Sequence, residues 1–430
     1  MPRGNDRPAG SGDPALTISR QVARRYLLGQ QGLWPGRRWE GRAGTIAALQ
    51  KLGAVQMDPL TIVARSHDLV LWSRVADYEP QDLDDLLYRE RAFFDYGGHL
   101  DIYPMEELPY WRLHMRRRLA EPRQAAFAAT HGDLLDEVRA AVRERGPLGN
   151  RDLSGQARVQ SYRGSKDSGV ALYHLWLIGE LMTHSRQGFE RRYDLRERIA
   201  PPNLDYAASE AEVLDYFALR GIEQRGLFSW REWAGFLAYR LNQRADLGAT
   251  QAIIAGLLDA GQIVEIAIEG QRDRYYAPAT VLSLLHDLVA ERVPQAWQPL
   301  GKTTADEVIL LSPLDNLLDR KRIEKLFAFE YIWEIYKPAA RRRWGAYTMP
   351  IIYDDRLAAR IDVKLDRPTN TLWINGFWPE DERLTGADRF VQALVAGLSR
   401  FAHFHQANAI NLDALQPARL REQIQAGIGP

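Results

Sequence analysis

The chain contains no cysteine. It can therefore form neither disulfide bonds nor thiolate zinc sites, and it has no cysteine nucleophile. No apolar run approaches the roughly 18 residues that a membrane-spanning helix needs. Residues 1–14 are rich in Gly, Pro, Arg and Asp and lack an apolar centre, so we expect a disordered tail rather than a signal peptide. The sequence thus predicts a cytoplasmic, nucleoid-associated protein with no membrane partner.

The chain also lacks an excess of charge of either sign. Lys and Arg together number 56, as do Asp and Glu, which gives a formal net charge of zero. This balance counts mildly against a nucleic-acid partner, because DNA-binding modules are often basic. Three local clusters of arginine remain as candidate phosphate contacts: Arg112 with 116–118, the stretch 186–198, and 341–343. Arginine suits bidentate phosphate binding, although each cluster fits a solvated face equally well.

Several catalytic motifs are missing. The sequence has no phosphate-binding loop of the GxxxxGK[ST] type, no HExxH and no GxSxG. These absences exclude the ATP-driven, zinc-protease and serine-hydrolase classes that carry those motifs. His403 and His405 are two residues apart in a segment with helical spacing, which makes them a poor metal pair. We expect neither a metal nor a cofactor.

The N-terminal part of the chain has the spacing of helices. A length of 430 residues, 46% of them hydrophobic, predicts several packed units. Helical spacing covers 15–33, with Thr17 or Ser19 as N-cap, and 42–54, with an end near Gly53. Residues 63–75 and 80–96 also have helical patterns. Together with a short strand after Gly53, these helices predict a winged-helix-like first unit over residues 15–128.

The middle of the chain contains an internal repeat. The segment GPLGNRDL from Gly146 corresponds to GLFSWREW from Gly226, and each is a loop that leads into a helix. Farther along, residues 177–195 correspond to 257–278, with Tyr193 and Tyr276 in equivalent places. Helix-turn-helix followed by a hairpin is a winged helix. The repeat therefore predicts a second winged helix over residues 129–202 and a third over residues 203–300.

From about Glu307 the pattern changes to short, aromatic runs bounded by turns. These runs predict strands at 308–314, 331–338, 346–355, 356–367 and 371–378. They indicate a small antiparallel β-barrel or a strongly curved sheet over residues 301–382, interrupted by a helix at 319–327. An amphipathic helix and a tail account for residues 383–430. The predicted fold class is α+β.

The most informative short segment runs from Leu52 to Leu60, Leu-Gly-Ala-Val-Gln-Met-Asp-Pro-Leu. Alternate side chains of an extended segment share a face, so Gln56 and Asp58 should project together while the residues between them face a core. The proline after Asp58 cannot donate to a ladder and should end the strand. A carboxamide and a carboxylate at a strand end can position and activate water. Solvated edge residues are the alternative interpretation.

Three segments, 23–33, 49–75 and 311–367, resemble the winged-helix DNA glycosylases of the AlkZ/YcaQ-like family, and the resemblance extends from about Leu16 to about His405. It implies tandem winged-helix units in a C-shaped arrangement with a C-terminal β-barrel. It also implies a DNA-repair enzyme that excises alkylated purines and unhooks interstrand crosslinks. The implied partner is double-stranded DNA with alkylated or crosslinked purines, bound by a monomer.

The resemblance is most specific at the Gln-x-Asp triplet. Members of the family carry Gln-x-Gln or Gln-x-Asp here, and this chain has the second form, which implies the branch with broader substrate tolerance. Cleavage of an N-glycosidic bond passes through an oxocarbenium-like state. We therefore expect Asp58 to be the general base that also stabilises the sugar cation, and Gln56 to hold the water. No lysine lies on the strand, which favours water over a Schiff base.

Further residues are candidates for DNA or lesion contact. His67 lies close behind the triplet, with an ordinary partly buried histidine as the alternative. Asp315 and Asn316 are expected either to close the cleft beside the lesion or to cap the following helix. Trp344 and Trp378 near turns are candidate stacking platforms. The expected phosphate contacts are Arg116, Arg117, Arg341, Arg342 and Arg343.

Two other functions fit part of the sequence. A non-catalytic tandem winged-helix regulator or repair scaffold would explain the repeat, but it leaves the Gln56–Asp58 pair and the C-terminal strands without a role. An RNA-binding module is compatible with neutral charge, but the chain has no aromatic RNP-type motif.

Overall fold

The computed structural model describes residues 14–153 and 167–428. Residues 1–13 of the predicted tail lie outside the described residues. Residues 154–166, which follow the first loop of the internal repeat, also lie outside them. The chain packs as two compact units. Of the described residues, the first unit contains 14–79, 225–227 and 258–428, and the second contains 80–153, 167–224 and 228–257. The domain boundaries expected from the sequence remain predictions.

The helices of the described chain follow in order. They are α1 (Arg20–Gln30), α2 (Gly41–Leu52), α3 (Ser66–Trp72), α4 (Pro80–Tyr88), α5 (Leu108–Leu119), α6 (Pro122–Thr130), α7 (Gly132–Arg145), α8 (Asp167–Leu177), α9 (Arg196–Ile199), α10 (Glu210–Arg225), α11 (Trp230–Arg240), α12 (Leu247–Asp259), α13 (Leu282–Val289), α14 (Arg320–Phe327), α15 (Asp388–Phe404) and α16 (Ala418–Ile428).

The strands are short, apart from two near the C-terminus. They are β1 (Leu16–Ile18), β2 (Trp39–Glu40), β3 (Val55–Gln56), β4 (Val75–Ala76), β5 (Phe93–Tyr96), β6 (Asp101–Pro104), β7 (Leu181–Gln187), β8 (Glu190–Leu195), β9 (Phe228–Ser229), β10 (Ile263–Ile268), β11 (Arg274–Pro278), β12 (Ile309–Leu310), β13 (Thr348–Tyr353), β14 (Arg356–Asp366), β15 (Thr371–Pro379) and β16 (Ala409–Asn411).

Local signals set the ends of the first helices, as the sequence predicts. The Ser19 hydroxyl accepts a hydrogen bond from the backbone N–H of Val22 and caps α1. Helix α2 ends at Gly53, whose φ of 67° is left-handed and whose N–H donates to the carbonyl of Leu49. Helix α1 then packs into an apolar core of the first unit that also includes Trp297, together with residues from α14 and the C-terminal sheet.

The C-terminal sheet of the first unit is open and curved. Its strand order is β12-β13-β14-β15-β16, with antiparallel pairing except between β15 and β16, which run parallel. Register shifts at Ile351/Ile352 and at Asp362/Val363 increase the local twist. The described residues do not close a barrel, so the barrel form of the prediction is wrong and the curved-sheet form is confirmed.

The run at 331–338, predicted as a strand, is a loop. The Glu334 carboxylate accepts hydrogen bonds from the backbone N–H groups of Arg343 (2.7 Å) and Trp344 (2.8 Å). The Tyr331 hydroxyl donates to the carbonyl of Thr348 at 3.0 Å. These contacts hold the run folded back against residues 343–348, and this tertiary arrangement overrides its β-type composition.

The second unit is mainly helical, with two antiparallel hairpins, β5–β6 and β7–β8. Helix α4 ends at Tyr88, and Phe93–Tyr96 forms β5, so the helical pattern predicted through residue 96 is wrong for its last part. Arg91, with a φ of 59°, lies in the turn between them. All four residues of β5 are buried, which suits a strand covered on both faces better than an amphipathic helix.

The hairpins of the internal repeat are present where the sequence predicts them. In the second unit, α8 leads into β7–β8, and Tyr193 pairs with Thr183. In the first unit, the end of α12 leads into β10–β11, and Tyr276 pairs with Glu265. Each tyrosine is buried near the end of its second strand. Both copies of the repeat therefore contain a helix followed by a β-hairpin.

Candidate active site

The Gln-Met-Asp triplet follows α2 in the first unit. Because the left-handed Gly53 turns the chain out of the helix, the next residues enter β3 in an extended conformation. Val55 is 0% exposed and Met57 4% exposed, whereas Gln56 and Asp58 are half-buried. The alternation predicted from the sequence is confirmed. A carboxamide and a carboxylate therefore point away from the core at the end of one strand.

The Asp58 carboxylate is fixed by its own turn. Its Oδ1 accepts a hydrogen bond from the backbone N–H of Leu60 at 2.8 Å, across Pro59. Burial raises the pKa of Asp58 above its ordinary value of 3.8, and the Leu60 hydrogen bond opposes the rise without cancelling it. The carboxylate is thus more basic than a surface aspartate. This is the property that a general base for water requires.

Two side-chain contacts hold the segments on either side of the triplet. Asn316 donates from Nδ2 to the carbonyl of Ala54 at 2.6 Å, one residue before β3. Behind the triplet, the hydroxyls of Ser66 and Ser312 are buried and 3.0 Å apart. Residues 312–316 therefore hold the motif from both ends. The prediction that Asn316 belongs to the site is consistent with this position.

The loop after Asp58 is bound by the β14–β15 hairpin. The N–H of Leu365 donates to the carbonyl of Ile62 at 3.2 Å. The guanidinium of Arg367 donates to the carbonyls of Thr61 (2.5 Å) and Val63 (3.4 Å). Backbone carbonyls of an exposed loop are otherwise satisfied by water, so these bonds restrict the loop that follows the catalytic candidate.

A tyrosine that sequence reasoning missed lies within electrostatic range of Asp58. Burial raises the pKa of Tyr347, and the negative charge of Asp58 raises it further, so phenol and carboxylate are within electrostatic reach. The Tyr347 hydroxyl therefore stays protonated and neutral. Its ring contacts that of Trp333, with centroids 6.4 Å apart and planes at 78°. No local sequence signal marks Tyr347, because it lies 289 positions beyond Asp58 in an ordinary apolar context.

Asp362 anchors the turn that carries Tyr347. Its Oδ1 accepts the backbone N–H of Tyr347 at 2.6 Å. Burial raises the pKa of Asp362, and hydrogen bonds from Tyr347, Asn375 and Ala346 lower it by less. Gly345 has a φ of 110°, and a Cβ at this position would lie 2.4 Å from the Asp362 carboxyl carbon. The turn thus needs glycine both for its backbone conformation and for space.

The structure gives Asp315 a different role from either one expected. Its carboxylate binds the guanidinium of Arg74 through two hydrogen bonds, and both side chains are fully buried. Its Oδ1 also accepts the N–H of Leu317 at 2.9 Å. Asp319, rather than Asp315, caps α14 by accepting from Arg322. Asp315 therefore neither lines a cleft nor caps the helix, because its charge is already paired inside the first unit.

The remaining candidates differ in exposure. His67, in α3, is 1% exposed, so its ring is part of the interior rather than of a DNA-facing surface. In the second unit Arg116 is exposed, whereas Arg117 donates to the carbonyl of Leu241 at 2.8 Å and pairs with Glu210. The cluster at 186–198 is ion-paired at several of its arginines within the second unit, with Asp95, Asp152, Asp205 and Asp194.

The cluster 341–343 lies in the first unit on the loop before β13. Arg341 is exposed. Arg342 is turned inward and donates from Nε to the carbonyl of Lys337 at 2.9 Å. Arg343 is on the surface, where it pairs with Glu330 at 2.9 Å and lies 4.4 Å from the ring of Trp344. These three arginines are therefore not equivalent.

The two tryptophans proposed as stacking platforms are also not equivalent. Trp344 is buried, and the guanidinium of Arg360 lies 4.1 Å from its ring centre, so it is packing rather than a platform. Trp378 is half-buried and its ring covers Gly376, where a Cβ would approach within 2.2 Å. Trp344 is therefore excluded as a stacking platform, whereas for Trp378 this role stays a prediction.

The described part of the chain has neither a metal-binding cluster of side chains nor a helix suited to a membrane. Residues 14–153 and 167–428 contain no group of three or more His, Cys, Asp or Glu side chains placed to hold a metal ion. Within the same residues, no helix combines the length and the apolar character that crossing a membrane would take.

Comparison with known proteins identifies the fold and the family of the chain. The solved structure of a DNA glycosylase AlkZ from Streptomyces sahachiroi matches with a TM-score of 0.60 and 14% sequence identity, over 93% of this chain and 99% of that one. At this identity the match concerns the fold. Residues 49–404 match the family model described as "DNA glycosylase AlkZ-like". That match covers most of the chain and includes Gln56 and Asp58, so the chain belongs to the AlkZ-like family of DNA glycosylases and is a DNA-repair enzyme rather than a non-catalytic regulator.

Proposed function

We propose that this chain hydrolyses the N-glycosidic bond of N7-alkylated purines in double-stranded DNA, with Gln56 and Asp58 as its catalytic pair. The single observation that supports this most is the pairing itself. Both side chains project from the end of one strand whose intervening residue is buried, and Asp58 combines a raised pKa with partial access to solvent.

The proposed reaction requires few catalytic groups beyond the carboxylate of Asp58 and the carboxamide of Gln56. In an N7-alkylated purine the ring already carries a positive charge, so the base leaves without protonation. The bond between C1′ and the purine nitrogen breaks, and its electron pair neutralises the ring. The sugar passes through an oxocarbenium-like state. The Asp58 carboxylate stabilises this cation electrostatically, in a setting where water screens it less than at the surface.

Water completes the reaction. Its oxygen forms the new bond to C1′, and the proton it loses goes to the Asp58 carboxylate and from there to solvent. The Gln56 carboxamide can donate to this water and accept from it, which orients the attack. The nearest lysine along the chain, Lys51, belongs to α2 rather than to the strand. We therefore propose a monofunctional glycosylase that leaves an intact abasic site.

We also propose that crosslinked purines are substrates. A base joined to the opposite strand cannot rotate into a closed pocket as in base flipping. The half-buried state of Gln56 and Asp58 supports a reaction in an open groove rather than in a sealed cavity. A duplex with an N7-linked interstrand crosslink, run on a denaturing gel, should separate into two strands after treatment with the wild-type protein.

Binding to DNA is proposed to involve winged-helix units and exposed arginines. The repeated helix and hairpin arrangements support winged helices, which commonly place basic groups along phosphates. Among the arginines expected to contact phosphate, Arg116, Arg341 and Arg343 are at the surface. We retain these three as the proposed contacts and expect a monomer to bind a single duplex.

The test is a duplex oligonucleotide with one N7-methylguanine. Wild-type protein should release the base and leave a site that alkali cleaves, without added metal or cofactor. Strand cleavage before alkali would indicate a lyase. If a large excess of protein releases no more base than buffer does, N7-alkylpurine excision is not its activity.

A further inference from the structure

One loop next to the candidate active site presents an aromatic ring to solvent. Tyr336 is 78% exposed, more than any other large hydrophobic side chain in the described part of the chain. It lies in the run that was predicted as a strand and is a loop. A tyrosine at this exposure has most of its ring in water, where the ring is accessible to a ligand.

The ring of Tyr336 is linked to Tyr347 through direct aromatic contacts. Tyr336 contacts Trp333 with centroids 5.7 Å apart, and Trp333 contacts Tyr347 at 6.4 Å. Both pairs are edge-on, at 71° and 78°. Tyr347 is in turn the phenol whose pKa responds to the charge of Asp58. Two ring contacts therefore lead from the exposed tyrosine to Tyr347. The same loop also contacts the segment that holds the triplet, because the Tyr331 hydroxyl donates to the carbonyl of Pro313 at 3.4 Å.

The loop that presents Tyr336 is held by a buried carboxylate. Glu334 is 1% exposed. It accepts the N–H groups of Arg343 and Trp344 and the ammonium of Lys337 at 2.8 Å. Burial raises the pKa of Glu334, but these hydrogen bonds outweigh burial and hold the pKa below its usual value. An exposed ring on a loop fixed in this way loses little conformational freedom when it binds.

The loop is also positively charged in a chain of zero net charge. From 330 to 347 it contains four cationic residues, Lys337 and Arg341–Arg343, against two carboxylates, Glu330 and Glu334, which leaves 4 − 2 = +2. A polyanion is therefore attracted to the surface from which Tyr336 projects. An exposed aromatic ring in a basic segment is one arrangement by which proteins bind unpaired bases and their phosphates, and Lys337 directly follows Tyr336 along the chain.

We infer that Tyr336 stacks on a nucleobase next to the lesion, so that the 330–347 loop is a base-stacking element of the DNA-binding surface. This inference rests on the proposed function, because it takes the DNA around the scissile nucleotide as the occupant. Excision requires access to C1′ from a groove, and local unstacking of the duplex would expose a base for the ring to cover. Cations at 341 and 343 would lie along the neighbouring phosphates.

The test uses binding rather than excision, so that it does not depend on turnover. The probe is a duplex with a tetrahydrofuran abasic analogue, which has no base to release, and a 2-aminopurine beside it. Its fluorescence reports stacking at that position. Full-length wild-type protein, Tyr336→Ala and Tyr336→Phe are compared. Tyr206→Ala, which removes a 51% exposed tyrosine from the second unit, is the matched control.

Loss of one stacked base should weaken binding of the probe by roughly tenfold in Tyr336→Ala and remove its protein-induced 2-aminopurine signal. Tyr336→Phe should retain both within about twofold, because the ring face rather than the hydroxyl stacks. The salt dependence of binding should keep the wild-type slope in Tyr336→Ala, because no phosphate contact is lost. Tyr206→Ala should behave as wild type.

Equal affinity and an equal fluorescence change in wild type and Tyr336→Ala would overturn the inference. A loss of affinity in Tyr336→Ala that is equally large in Tyr336→Phe would also overturn it. So would a defect in Tyr336→Ala that affects only self-association of the protein, because the ring would then be a protein contact. Failure of the proposed function is a separate result, namely wild-type protein that releases no N7-methylguanine from its duplex while the stacking signal on the abasic probe persists.

Discussion

The guanidinium of Arg74 and the carboxylate of Asp315 form a bidentate pair in the interior of the first unit, with hydrogen bonds of 2.6 and 2.7 Å and no solvent exposure of either side chain. The remaining donors of Arg74 are used as well, by the carbonyls of Gln31 and Val70 and by the Gln31 side chain. A charge removed from water in this way is tolerated only because every partner is present.

Removal of one member of this pair should therefore destabilise the protein. Asp315→Asn leaves a buried guanidinium without its counter-charge. We expect the free energy of unfolding to fall by roughly 3–5 kcal/mol, measured by urea denaturation followed by circular dichroism. The control is Asp287→Asn. Asp287 lies in α13 and forms an exposed ion pair with Arg292, so its replacement should change the free energy of unfolding by less than about 1 kcal/mol. Similar losses in both variants would contradict this account.

The proposed role of Asp58 predicts a large loss of excision when its charge is removed. Asp58→Asn keeps the shape of the side chain but removes its charge and basicity, so excision of N7-methylguanine should fall by roughly 100-fold or more. Affinity for the lesion duplex should be nearly unchanged. Gln56→Ala should show a similar but smaller defect, because water can still reach the sugar. Single-turnover kinetics and a binding titration separate these effects, and unimpaired excision by Asp58→Asn would remove the assignment.

The pH dependence follows from the raised pKa of Asp58. Only the ionised carboxylate acts as base, so the excision rate should fall as pH decreases through a pKa above the ordinary 3.8. A single-turnover pH profile with its acid limb at or below the ordinary aspartate range would contradict the burial of the base.

The same shift predicts a stability effect with a defined sign. A carboxyl whose pKa is raised by folding binds its proton more tightly in the folded state, and this contribution to stability is lost as pH rises through the folded pKa. At neutral pH, Asp58→Asn should therefore melt at a higher temperature than wild type. The difference should vanish below the ordinary aspartate pKa of 3.8. A lower melting temperature for Asp58→Asn at neutral pH would reverse the sign.

Gly345 is expected to be essential to the turn beside the site. Gly345→Ala places a methyl group at a φ of 110° and 2.4 Å from the Asp362 carboxyl carbon, and should cost roughly 1–3 kcal/mol or more. Gly386→Ala is the matched control, because a Cβ there meets nothing within 4 Å. The two variants are compared by thermal melting. Equal melting temperatures would show that the turn can relax at no cost.

The arginines of the 341–343 cluster should differ in their effect on DNA binding. Arg341→Ala removes an exposed cation, so the salt dependence of duplex binding should decrease by about one unit of slope. Arg342→Ala removes a side chain that holds the carbonyl of Lys337, and we expect it to lower stability more than the salt slope. An unchanged slope in Arg341→Ala would mean that the DNA path avoids this loop.

The sequence by itself determined the features that depend on neighbours along the chain. The Ser19 cap, the glycine end of α2 and the alternation of buried and projecting side chains around Gln56 and Asp58 are confirmed, because each is set by residues within a few positions. The triplet was found for the same reason, since its pattern is complete within three residues. The assignment of its chemistry came from the family resemblance rather than from local physics.

The roles of residues that contact partners far away in the sequence are set by the tertiary structure alone. The sequence predicts that Asp315 caps a helix or closes a cleft, but its charge is paired with Arg74, 241 positions away along the chain. The 331–338 run has the composition of a strand but is folded back by hydrogen bonds to the Glu334 side chain, which turned Tyr336 outward. Tyr347 is within electrostatic range of Asp58 only because the chain folds in three dimensions. Such outcomes depend on free energies of burial and pairing between segments whose contact no local pattern records.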